Sequence, residues 1–352
     1  MPGRDIVVLG ASAGGINALR QIVTSLPEDL AASVFVCLHI APDRPSRLPQ
    51  ILGRAALPAM HPHDHQAIRK GCIYIAPPDN HLLISKECVR VIRGPQENRF
   101  RPAIDALFRS AARQYGPRVI GVVLTGNLDD GTVGLQAIKQ CGGVTIVQDP
   151  EEAEYASMPS SAMRFAKIDH CLALADIPRT ILRLVEEAPG DWPSEVAASI
   201  KVEAEIAEQR MDTAEFLENV ERIGKRTTYA CPLCNGSIWQ IEAEQPLRFR
   251  CHVGHSFTAE YFWAEQSQNL ENALWSAIRI MEEKVTFARQ FASSLRDSKL
   301  SDLAQKYDKT AEKVDAELAV IRDVIVGGHA TTRNVFETED DARRPLPGSN
   351  PR

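Results

Sequence analysis

At 352 residues and 38.8 kDa the chain exceeds one ordinary domain; its length points to two domains, or to one large α/β domain with an appendage. With 44% apolar and 24% charged residues the composition is globular, which excludes a largely disordered chain. The net charge of −6 argues against a general nucleic-acid binder, which needs a basic footprint to neutralise phosphates.

In chain order, Asp5 to Gly10 is a continuous apolar run closed by glycine, as a buried parallel strand requires. A Gly/Ser/Ala turn follows, then helical spacing from Ile16 to Leu26, stopped by Pro27. Ser33 to His39 reads as a second strand, completing a βαβ unit. Shorter strands are expected at Gly71–Ala76, His81–Ile84 and Val89–Ile92, the last two as a pair. Helices are expected over Ile104–Tyr115 and Gly131–Gln140, with strands at Arg118–Leu124 and Gly143–Gln148. Residues 1–188 therefore read as a doubly wound, mostly parallel α/β domain.

Ala188 to Pro193 is rich in turn formers and marks a break. Residues 189–228 read as a charged helical linker without a strong apolar face. Residues 229–257 form a compact Cys/His module. Residues 258–326 carry apolar residues at helical spacing, with a polar stretch at Ser293–Ser301 suited to the turn of a helical hairpin. Residues 327–352 lose periodicity and read as a disordered tail. No run of about 18 apolar residues and no secretory signal pattern is present, so a cytoplasmic location is the expectation. Of eight cysteines, five are scattered among apolar residues and read as buried thiols.

Ser12, in Gly10-Ala11-Ser12-Ala13-Gly14-Gly15, sits where a strand hands over to a helix. Small neighbours let backbone and substrate approach, and the helix N-terminus favours developing negative charge. A dinucleotide site is the alternative, but the spacing departs from G-x-G-x-x-G. The second strand also ends in His39 where a nicotinamide site needs an acid. A purely structural turn is the bland alternative. His39 and Asp130 both lie at or after strand ends on the same edge as Ser12. A serine needs a base, histidine is the natural base near neutral pH, and a carboxylate behind it fixes the tautomer.

Five motifs in order resemble the CheB chemotaxis methylesterase catalytic domain. They are Gly10–Gly15, Leu38-His39-Ile40, Ile73–Leu82 with its Pro77-Pro78-Asp79-Asn80-His81, Arg101-Pro102-Ala103-Ile104-Asp105, and Leu124–Gly131. Gln148-Asp149-Pro150 and Ser157-Met158-Pro159 fit the late segment. The resemblance covers about residues 4 to 186. It implies hydrolysis of glutamate methyl esters on chemoreceptor-type proteins, with glutamine deamidation as an accompanying activity. By that match Ser12 is the nucleophile, His39 the general base, Asp130 the orienting acid with Asp129 its near rival, and the Asn127 N–H an oxyanion donor. Ala13 stands where the family usually has threonine, and Asn127-Leu128 where it has Met-Gly. The family's usual N-terminal phosphoacceptor domain is not represented, so aspartyl-phosphate control in cis is not expected. No cofactor is expected for catalysis. A non-catalytic signalling adaptor that keeps the fold is the alternative.

Two further clusters bear on metals. His61-Pro62-His63-Asp64-His65 reads as a polar loop, and His81 as structural or at the substrate edge. Cys231-Pro232-Leu233-Cys234 is followed, after sixteen residues, by Cys251-His252-Val253-Gly254-His255. That spacing suits tetrahedral zinc in a ribbon whose short strands are Ile238–Ile241 and Leu247–Arg250. Cys231, Cys234, Cys251 and His255 are the expected ligands, with His252 the alternative fourth. With no open position the zinc is expected to be structural. The helical segment beyond is expected to pack on the catalytic domain, dimerise, or dock a signalling partner.

Overall fold

The computed structural model describes residues 3–53, 56–208, 213–242 and 245–327. Residues 328–352, nearly all of the expected tail, lie outside the described residues. The chain forms two units, residues 1–262 and 263–352.

The first unit begins with β1 (Ile6–Ala11), α1 (Gly15–Thr24), β2 (Ser33–Leu38), α2 (Leu48–Leu52), β3 (Ala59–Met60) and β4 (Ile73–Ile75). The hairpin β5 (His81–Ile84) and β6 (Val89–Ile92) follows, then α3 (Ile104–Tyr115), β7 (Val119–Val123), α4 (Thr132–Gln140) and β8 (Val144–Gln148). α5 (Ser157–Phe165), β9 (His170–Leu172) and α6 (Ile177–Glu186) complete the sheet domain. Seven parallel strands run in the order β3-β4-β2-β1-β7-β8-β9. Strand order reverses at β1 and β7, which opens a crevice at their carboxyl ends.

Side-chain alternation along each strand builds two cores. Val7 and Leu9 pack with Leu19 and Ile22 of α1 and Ile177 and Ile181 of α6 on one face. Ile6 and Val8 pack with Ile104, Leu107 and Phe108 of α3 and Leu135 and Ile138 of α4 on the other. Both faces are covered, so the strands read as unbroken apolar runs. α2, α5, α6, β3 and β9 extend the expected set; β3 has two residues and β9 three, too short for a periodic signal.

α7 (Ala198–Ala207) and α8 (Thr213–Ile223) lie in the stretch expected to be a linker without an apolar face. Here the structure corrects the reading. Val202, Ile206, Phe216, Val220 and Ile223 form a core with Trp239 and Ile241. β10 (Gly224–Ala230), β11 (Ser237–Ile241), β12 (Arg248–Cys251) and β13 (Ser256–Thr258) form an antiparallel meander, two strands more than the ribbon expected.

α9 (Ala259–Asp297) and α10 (Ser301–Gly327) follow. In the second unit they pair through Val285, Ala288, Ala292 and Leu295 against Ala304 and Ala311. Arg289–Asp315 and Arg296–Asp308 ion pairs flank that seam. The turn falls at residues 298–300, inside the polar stretch that marked it. No helix among the described residues is long and apolar enough to cross a membrane.

Candidate active site and metal centre

Ser12 follows β1 directly, and its N–H donates to Thr125 O at 3.0 Å. Gly14, with φ 73, turns the chain into α1, a left-handed conformation that glycine adopts without strain. His39 follows β2, anchored by its N–H to Ala11 O at 3.2 Å. Asp130 precedes Gly131, whose φ of 95 opens α4. The three residues converge at the strand-order reversal. His39 Nδ1 lies 3.0 Å from Ser12 Oγ, and His39 Nε2 lies 2.8 Å from Asp130 Oδ2. An ionised carboxylate only accepts, so Nε2 carries the proton and Nδ1 faces Ser12 with its lone pair.

Asp130 is fully buried. It accepts from the N–H groups of Ile104 (2.7 Å), Asp105 (3.2 Å) and Gly131 (3.1 Å), and from Asn98 Nδ2 (3.0 Å). Burial pushes its carboxyl up, but the His39 contact and these donors outweigh burial and hold it below the usual range. Asp105, also buried, is pushed well up by burial and by the Asp130 charge. Asp130 therefore carries the negative charge of this pair. Asp129 points elsewhere: it accepts from Thr258 Oγ1 at 2.8 Å, and burial with the Glu260 charge drives it toward its neutral form. Cys37, buried under the site, has its thiol pushed well up by burial and by Asp130 and Asp105, which keeps it from the reactive thiolate form.

A Cβ added at Gly126 would lie 2.8 Å from Ser12 Cβ, which places the Gly126–Asn127 backbone beside Ser12. Asn127 is exposed, and its N–H has no intramolecular acceptor among the described residues. His81 is buried, bonding Pro95 O through Nε2 and accepting from Ala103 N through Nδ1, which is a structural role. In the histidine-rich loop, His61 Nδ1 donates to Ile75 O and His65 pairs with Asp64.

Sequence reasoning missed Asn98 and Phe100. Phe100 stacks flat on the His39 ring, centroids 3.5 Å apart at 9°. Neither residue lies in a strand or helix, and no periodicity marks either.

The Cys/His cluster closes on itself. Donor atoms of Cys231, Cys234, Cys251 and His255 all lie within 4.8 Å of one another. Cys234 Sγ–Cys251 Sγ is 3.7 Å, Cys231 Sγ–His255 Nδ1 is 3.8 Å and Cys251 Sγ–His255 Nδ1 is 3.5 Å. A tetrahedron with zinc–sulfur bonds of about 2.3 Å has edges of about 3.8 Å, slightly shorter to nitrogen. The donor set fits zinc in number, chemistry and size. His252 is exposed and its ring lies over Gly236, where a Cβ would come 1.9 Å from His252 Cε1.

A model of the CheB methylesterase family matches residues 7–181, ending before the Cys/His module. A Leptospira interrogans protein with the provisional name protein-glutamate methylesterase/protein-glutamine glutaminase is 37% identical over 182 residues, 51% of this chain and 94% of that protein. An Anaeromyxobacter dehalogenans protein-glutamate methylesterase/protein-glutamine glutaminase is 36% identical over 181 residues, 51% of this chain and 53% of its own length. The Thermotoga maritima CheB methylesterase catalytic domain, a crystal structure, aligns with TM-score 0.49 and 32% identity over 51% of this chain and 98% of that one. With the family model matched and a relative covered almost end to end, the chain belongs to the CheB methylesterase family.

Proposed function

We propose that the chain is a protein-glutamate methylesterase acting on a chemoreceptor-type protein, and that it deamidates glutamine at the same centre. The carrying observation is the relay of Ser12 Oγ, His39 and Asp130 at 3.0 and 2.8 Å. Ser12 Oγ attacks the ester carbonyl carbon while its proton passes to His39 Nδ1. Asp130 holds the ring in the Nε2–H tautomer and balances the imidazolium. The Asn127 N–H receives the oxyanion, a backbone role that does not depend on the departure from the family's residue there. His39 returns the proton to the departing alkoxide, giving methanol. Water, activated by the same histidine, then cleaves the acyl-serine and leaves the glutamate carboxylate.

The test is methanol release from a methylated receptor fragment. Ser12→Ala is expected to lower it by about four orders of magnitude or more with the fold intact. Wild-type protein that releases no methanol would favour the non-catalytic adaptor.

Cys231, Cys234, Cys251 and His255 are assigned one structural zinc ion. We place the protein in the cytoplasm, a reducing compartment in which cysteine ligands stay available to a metal. To the α9–α10 hairpin we assign the docking of a signalling partner, because Trp275 (50% exposed) and Phe287 (63%) stand open on its surface. Phe287→Glu should then reduce turnover of intact receptor and leave that of a small soluble ester unchanged.

A further inference from the structure

The loop that steadies Asp130 is itself held by the Cys/His module. Residues 96–98 run along the free edge of β13: Ser256 N donates to Gln96 O at 3.2 Å and Asn98 N donates to Ser256 O at 2.8 Å. Asn98 is 3% exposed and sits at φ 50, a conformation asparagine tolerates. Its side chain bonds three partners. Nδ2 donates to Asp130 Oδ1 and to Asp105 Oδ2, both at 3.0 Å, and Oδ1 accepts from Thr258 N at 3.1 Å. Two residues on, Phe100 lies flat on His39 and meets Tyr261 edge-on at 5.9 Å. Phe100 and Leu128 also pack on the module's core of Cys231, Ile238, Phe249, Cys251 and Phe257.

The metal ligands bracket the turn that delivers β13. Cys251 ends β12 and His255 precedes Ser256, with Cys251 N donating to His255 O at 2.9 Å. An ion bound by both residues fixes that turn, and with it the edge that holds Asn98. The connection runs from the ion through His255 and Ser256 to Asn98, then Asp130, His39 and Ser12.

We infer that Asn98 is a positioning residue for the Asp130–His39 pair, and that the metal-held turn of the Cys/His module keeps it in register with the active site. The inference deepens the methylesterase reading and rests on it for its kinetic consequence. Asn98 touches no reacting atom; it fixes which carboxylate oxygen faces His39. A hydrogen bond to a charged group commonly contributes enough to change a rate by about ten- to hundredfold. The titratable groups packed about Asp130 are His39, Cys37, Asp105 on α3, Asp129 and Tyr261 on α9.

The test uses the full chain loaded with zinc. Asn98→Gly removes the amide but keeps the left-handed backbone and the N–H to Ser256 O. It is expected to lower kcat by about ten- to hundredfold with KM changed less than about twofold. Nitrogen-15 NMR of His39 provides a readout independent of turnover: the wild type should hold the Nε2–H tautomer, and Asn98→Gly should mix the two tautomers. Removing zinc with a chelator should reproduce both signatures, and adding zinc back should reverse them. Wild-type kcat and an unmixed tautomer in Asn98→Gly would overturn the positioning role. Unchanged kcat and tautomer after complete zinc removal would overturn the coupling to the metal. A wild type that releases no methanol would overturn the esterase reading, while the tautomer measurement still decides the role of Asn98.

Discussion

Arg250 Nη2 lies 3.3 Å from Glu97 Oε1, joining β12 to the active-site loop across 153 residues of sequence. Both side chains are buried, and the pair belongs to a chain of charges. Arg109 bonds both Glu97 oxygens at 2.7 and 2.9 Å. Glu203 of α7 accepts from Arg250 at 3.0 Å and from Arg248 at 2.7 Å. Removing one member of a buried ion pair typically costs about 3–5 kcal/mol. Arg250→Met should fall near about 3 kcal/mol, because Arg109 and Arg248 keep both carboxylates paired. Urea unfolding of the two proteins checks this.

The same network dictates a response to acid. Burial pushes Glu97 up, but Arg109 and Arg250 outweigh it and hold the carboxyl below its usual range. Burial likewise opposes, and Arg248, Arg250 and Arg109 likewise overcome, in Glu203. A carboxylate with a depressed folded value stabilises fully above its unfolded pKa of about 4.3 and loses that contribution as pH falls through the folded value. The urea midpoint should therefore not reflect loss of these pairs between pH 7 and pH 5, and should decline below about 4.3. Glu97→Gln with Glu203→Gln should be less stable at pH 7 and show a shallower acid decline. A double variant with the wild-type slope would remove these carboxylates as the cause.

That charge network also explains what was legible beforehand and what was not. Ser12, His39 and Asp130 could be placed because each follows or lies just beyond a strand whose apolar run is unambiguous, so backbone geometry carries them to one edge. The α7 segment carries Lys201, Glu203 and Glu205 among its apolar residues, so its sequence shows a charged helix without a strong apolar face. In the fold Glu203 is buried, and its charge is matched by Arg248 and Arg250 from about 45 residues away. No local pattern reports such a partner. Asn98 is the same case: its bond from Thr258 spans 160 residues.

Zinc content provides a direct measurement on the module. Elemental analysis of protein purified without added metal should give one zinc per chain. Chelation should disorder residues 224–258 ahead of the seven-stranded sheet, since metal binding and folding are coupled in small metal-held folds. Hydrogen exchange resolves the order of loss. Cys234→Ser should lose the metal, whereas His252→Ala should retain it, because His252 lies outside the donor cluster.

The adjacent carboxyls Asp129 and Asp130 should separate cleanly under substitution. Asp130→Asn replaces the carboxylate bonded to His39 and should reduce kcat by about four orders of magnitude, the cost of the wrong tautomer in a Ser-His-Asp relay. Asp129→Asn imitates a group already driven toward neutrality. Its Oδ1 can still accept from Thr258, so activity should stay within about threefold of wild type. Equal losses in the two variants would contradict the assignment of Asp130 over Asp129.

Gly126 tests the geometry around Ser12. A methyl group there would meet Met158 Sδ at 2.1 Å and Ser12 Cβ at 2.8 Å. Met158 has flexible bonds and can give way, but Ser12 is fixed by its N–H to Thr125 O and by the turn into α1. The displacement therefore falls on Ser12 or on the Gly126–Asn127 backbone, and either separates Ser12 Oγ from the Asn127 N–H. A misplacement of about 1 Å commonly costs about a hundredfold in rate. Gly126→Ala should lose about that factor in kcat/KM. Adding Met158→Ala makes room for the methyl on the methionine side and should recover thermal stability without recovering turnover, because the contact with Ser12 persists. Full recovery of turnover in the double variant would mean that Met158 packing, not the position of Ser12, set the rate.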